Sequence, residues 1–91
     1  MQQNIQLKLE IFQEDDLYVG ICPALNVSSF GETVVEAKQS TQEALYCFIE
    51  ECNEMGTLLE VLKESGFVLK DGVWMYPQPV AVEKVTVQGG S

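Results

Sequence analysis

Apolar and polar residues alternate near the start of the chain, with Ile5, Leu7, Leu9 and Ile11 separated by Gln6, Lys8 and Glu10. A period of two predicts a half-buried strand over 5–11. Gln13-Glu14-Asp15-Asp16 is polar and predicts a hairpin loop, after which 17–22 resumes strand character. Pro23-Ala24 interrupts that strand, since proline has no amide proton to give to a ladder. Leu25, Val27 and Ser29 then alternate as a third strand, and Gly31 ends it. Three strands with short connections predict an antiparallel meander.

The period then changes. Val34, Ala37, Thr41, Ala44, Leu45, Phe48, Cys52 and Met55 form a stripe at helical spacing, with Glu43, Glu50, Glu51 and Glu54 mostly off it. Thr33-Val34-Val35-Glu36 has the form of a capping box at the helix start, and Gly56 is placed to end the helix. A second Thr-x-x-Glu, Thr57-Leu58-Leu59-Glu60, predicts a short helix closed by Gly66. Phe67 to Tyr76 reads as a hairpin around Asp71-Gly72, a pair suited to a type I′ turn. After Pro77-Gln78-Pro79, the residues Val80, Val82, Val85 and Val87 predict a last strand, with a phase change at Glu83-Lys84. Gln88 to Ser91 reads as a frayed tail. The expected fold is α+β: an antiparallel sheet in β-β-β-α order, a long helix on one face, a short second helix and C-terminal strands. Residues 1–88 are expected to form one domain and 89–91 a disordered tail.

Composition narrows the function. The chain has 91 residues and a net charge of −9, and all five cations are lysines, with no arginine or histidine. Nucleic-acid affinity comes mainly from Arg and Lys on phosphate. Lys8, Lys38, Lys63, Lys70 and Lys84 form no cluster, so no direct nucleic-acid binding is expected. An acidic surface favours encounter with a basic partner. Without histidine, Cys-His and Ser-His nucleophiles are excluded, and metal binding by the cysteines is not expected. Cys22, Cys47 and Cys52 show no CxxC spacing and are read as reduced thiols acting as small hydrophobes. The carboxylates fit no EF-hand pattern. No apolar run approaches the ~18 residues needed to span a bilayer, so no membrane association is expected. Met1-Gln2-Gln3-Asn4 has no basic n-region, and a cytoplasmic location is expected.

Tyr18-Val19-Gly20, Cys22-Pro23, Leu25, Ser29-Phe30-Gly31-Glu32-Thr33 and Glu36-Ala37 stand in an order that resembles the HicB family of antitoxins. The short helix over 58–65 followed by Gly66-Phe67 is also similar to many members. The resemblance covers about half the chain firmly, from Tyr18 to about Phe67. Gly20 stands where alanine is common, and Phe30 where a polar residue is usual. Many members append a helix-turn-helix or ribbon-helix-helix segment, whereas the residues after Phe67 here read as strand.

The resemblance implies a non-enzymatic antitoxin that binds a small basic HicA-type RNA-cleaving toxin and covers its RNA-binding face, with no cofactor. The alternative is a solitary HicB-like interaction or small-ligand-binding module without a toxin. Glu14, Asp15, Asp16, Glu32 and Glu36 are the acidic candidates for the partner surface, and Phe30, beside Gly31 in a turn, is the exposed aromatic candidate. For each acidic residue the competing reading is a solvated loop or helix cap. Val80, Val82, Val85 and Val87 would form an edge strand with unpaired backbone groups. Pairing across a two-fold axis would satisfy them, which predicts a homodimer.

Overall fold

In a computed structural model that describes residues 3–90, the alternating N-terminal segment does not run as one strand. It divides into β1 (Asn4–Ile5) and β2 (Glu10–Glu14), which serve different sheets. β2 pairs antiparallel with β3 (Leu17–Cys22), and β3 pairs antiparallel with β4 (Val27–Gly31), giving the expected meander. α1 (Val34–Met55) and α2 (Leu58–Glu64) follow, then a hairpin of β5 (Val68–Lys70) and β6 (Val73–Met75). β6 lies between β5 and β1, antiparallel to the first and parallel to the second. The fold is α+β as expected, but the six strands among the described residues make two three-stranded sheets, and one of their pairings is parallel. The segment between β1 and β2 carries the chain from one sheet to the other, so it cannot hold a single ladder.

The loop expected over 13–16 shrinks to Asp15-Asp16, because Glu14 still pairs with Leu17. Asp15 takes φ 54°, a left-handed value that aspartate tolerates better than most residues. The proline corner turns through Asn26 at φ 55°, which leaves Leu25 in the turn rather than in the third strand. In the β5–β6 hairpin, Asp71 and Gly72 have φ 51° and 79°, as a type I′ turn requires.

α1 begins as its sequence indicates, with the Thr33 hydroxyl accepting from the Glu36 amide at 3.0 Å. Its end explains why the second capping box does not form. Gly56 at φ 73° and Thr57 close α1 by amide bonds to the Asn53 and Cys52 carbonyls, 3.1 and 2.9 Å. The Thr57 hydroxyl also donates to the Cys52 carbonyl, at 3.3 Å, so it finishes the first helix instead of capping the second.

α1 packs on one face of the β2–β3–β4 sheet. Ala37, Thr41, Leu45 and Cys52 are buried along it, whereas Val34 and Met55, at the ends of the expected stripe, are exposed. The fit is close at Gly20, where a Cβ would overlap the Thr41 hydroxyl and lie 3.1 Å from the Ala37 carbonyl oxygen. Thr41, buried and polar, donates its hydroxyl to that carbonyl at 2.7 Å. A second cluster joins Cys52, Leu58, Leu62, Phe67 and Trp74 beneath α2, with Ile5, Leu7 and Leu25 against it. The Trp74 indole donates to the Gln3 amide oxygen at 3.1 Å.

The strand expected over Val80–Val87 does not form within the chain: residues 76–90 carry no regular secondary structure, and these four valines are 75–105% exposed. Strand formation needs a neighbour, and the chain presents none along that stretch. Met1, Gln2 and Ser91, which enter the readings of the two termini, lie outside the described residues.

Candidate functional site

The register across the meander sorts its side chains by face. Gly20 and Cys22 of β3 point toward α1, so their partners Ile11 on β2 and Ser29 and Val27 on β4 share that side. The alternate residues face away. Phe12 pairs with Val19, and Val19 with Phe30, forming one row across three strands. Leu17 and Ile21 flank that row on β3. Phe12, Leu17 and Phe30 are 55%, 40% and 63% exposed, and no helix or strand among the described residues covers this face. A contiguous apolar patch of this kind marks an interaction site more often than ordinary surface.

At one end the patch meets the acidic hairpin tip. Glu14, Asp15, Asp16, Leu17, Val19 and Phe30 line an open groove of about 440 Å³. The structure therefore brings together four of the residues marked in the sequence: Glu14, Asp15, Asp16 and Phe30. Glu32 and Glu36 do not line the groove. Glu32 follows Gly31, which pairs with Tyr18 close to the Asp15-Asp16 turn, so it sits at the same end of the sheet. Glu36 is in the first turn of α1, with its backbone against Gly31. Glu14, Asp15 and Asp16 thus border the apolar floor, with Glu32 at the same end of the sheet and Glu36 on the α1 side of it.

Sequence reasoning passed over Phe12, Leu17 and Val19. A signal was present. Phe12 is apolar in the phase where Gln6, Lys8 and Glu10 are polar, and 17–22 is apolar in both phases. Apolar residues in both phases mean that both faces of a sheet are hydrophobic. Only one is covered here.

Two other concavities lie elsewhere on the molecule. One, of about 450 Å³, runs beside α1 between Ile5, Tyr46, Ile49 and Leu58, but the Gln3 amide oxygen at its rim is already taken by Trp74. Another, of about 240 Å³, lies between Phe67, Tyr76 and Pro77–Pro79. Phe67 and Tyr76 there meet edge to face with ring centroids 5.3 Å apart. Neither pairs an apolar floor with a cluster of charge.

Among the described residues, no group of three or more His, Cys, Asp or Glu side chains is arranged to hold a metal ion. No helix among them is long and apolar enough to cross a membrane. The cysteines are free, with Cys22 and Cys52 buried and Cys47 exposed.

Fold and site together define an acidic two-layer α+β protein with one sheet face open. Set against known proteins, the chain matches no family model, no curated protein and no solved structure.

Proposed function

We propose that this chain is a HicB-like antitoxin that neutralises a small basic HicA-type RNA-cleaving toxin by docking the open sheet face against the toxin's RNA-binding surface. One observation carries the reading: the Phe12–Val19–Phe30 row lies open beside the carboxylates of Glu14, Asp15 and Asp16. A surface that binds RNA presents lysines and arginines spaced for phosphates. Carboxylates at the rim take the place of those phosphates, and the aromatic row supplies the desolvated centre that gives an interface most of its affinity. Blocking is steric, so this chain needs no chemistry of its own. The ordered motif from Tyr18 to Ala37 supports the same reading.

The test is co-expression with a small basic RNA-cleaving toxin encoded beside this chain, scoring growth and co-purification. The expected result is rescue of growth and a stoichiometric complex. Phe30→Asp, at an exposed position, should weaken the complex about 30-fold or more, the scale of an interface anchor. Absence of any complex, or full affinity in the Phe30→Asp protein, rejects the docking face.

A further inference from the structure

Beyond Pro79 the chain extends as an arm. The molecule measures 52 × 33 × 24 Å with a radius of gyration of 15.9 Å, against about 12 Å for a compact chain of this length. The arm Val80-Ala81-Val82-Glu83-Lys84-Val85-Thr86-Val87 carries two valines in each phase of a strand. As a strand it would be apolar on both faces. The open edge of β2 belongs to a sheet that is apolar on both faces, with Ile11 toward α1 and Phe12 away from it. Val85 and Val87, in one phase, would extend the Ile11 side of that edge, and Lys84 and Thr86, in the other, its Phe12 side.

Within the single chain the arm is unpaired: residues 76–90 carry no regular secondary structure and the four valines are 75–105% exposed. Pairing of two arms with each other across a two-fold axis keeps opposed residues in one strand phase, and registers centred on Glu83 or Lys84 oppose like charges. A register centred on Thr86 sets Val85 against Val87 but leaves Glu14 uninvolved, so rescue by Glu14→Lys separates it from edge addition.

We propose that the arm of each copy adds antiparallel to the open edge of β2 in a second copy, forming an arm-exchanged dimer. The register that pairs Lys84 with Glu14 sets Val85 beside Gln13, Thr86 beside Phe12 and Val87 beside Ile11. Glu10 is the less suitable partner for Lys84, because it already lies 3.9 Å from Lys8. Pro77-Gln78-Pro79 is the stiff hinge that carries the arm across. This dimer does not depend on the identity of the toxin, and its test does not involve one.

The experiment is sedimentation of the full chain at about 10–100 µM, where mass action populates a moderate dimer. The native chain should sediment as a dimer and Val85→Asp/Val87→Asp as a folded monomer; these arm positions are 75% and 80% exposed in the single chain. Lys84→Glu should weaken the dimer about ten-fold, because two symmetry-related pairs are reversed at once. Adding Glu14→Lys should restore it. A native chain that stays monomeric, a valine variant that remains dimeric, or a reversed pair that gives no rescue overturns the proposal. So does a monomer whose arm amides are protected from exchange, which would mean pairing within the chain.

Discussion

Alanine at position 20 would drive a methyl group into the Thr41 hydroxyl, because α1 crosses β3 with no space for a side chain there. Overpacking of this kind typically destabilises by about 1–3 kcal/mol. Gly20→Ala should lower stability in that range by urea unfolding. In the Thr41→Ala background the loss should be smaller, since the clashing oxygen is gone. The nearby Ala37 carbonyl still limits the recovery, so the cycle should show coupling of about 1 kcal/mol. The pair also gives a physical reason for glycine at position 20: the buried threonine fills the place a methyl group would take. Nothing local announced it. Gly20 sits inside a strand pattern, and only the position of α1 shows what it accommodates.

The two Thr-x-x-Glu motifs separate local signal from context at the scale of elements. Thr33 caps α1 as written, whereas Thr57 closes the helix before it. Thr33→Ala should therefore cost about 1 kcal/mol, the usual value of a lost cap. Thr57→Ala should cost less than half as much by the same measurement, since its backbone amide keeps the bond to the Cys52 carbonyl. An equal loss at both positions would contradict this assignment. The long helix, the meander and the Asp71-Gly72 hairpin were legible because each rests on contacts close in sequence. The division of the first strand, the parallel β1–β6 pairing and the absence of strand over Val80–Val87 were not. Each depends on a neighbour that is distant in sequence or lies outside the single chain. Site legibility followed the same line. The acidic tip and Phe30 stood out by composition, but the row from Phe12 through Val19 to Phe30 exists only once strand register is known.

At the scale of the whole molecule, one net charge of −9 would act on the two proposed associations with opposite sign. A basic toxin of the proposed kind would be attracted to the acidic end of the sheet, and salt would screen that attraction. Two like-charged copies of this chain repel, and salt screens the repulsion. At ~0.15 M ionic strength the screening length is about 8 Å, so both effects fall within an ordinary titration. Raising salt from ~50 to ~500 mM should weaken the toxin complex and tighten the dimer, read by calorimetry for the first and sedimentation for the second. Parallel responses would mean that charge does not govern one of them.

Burial also divides the thiols, leaving Cys47 outside while Cys22 and Cys52 are enclosed. A maleimide dye should therefore couple once to the native protein and three times after denaturation, as mass spectrometry would count. Its place on the solvent side of α1, behind the sheet, makes the chain a ready-made fluorescent reporter whose label does not obstruct what lands on the opposite side.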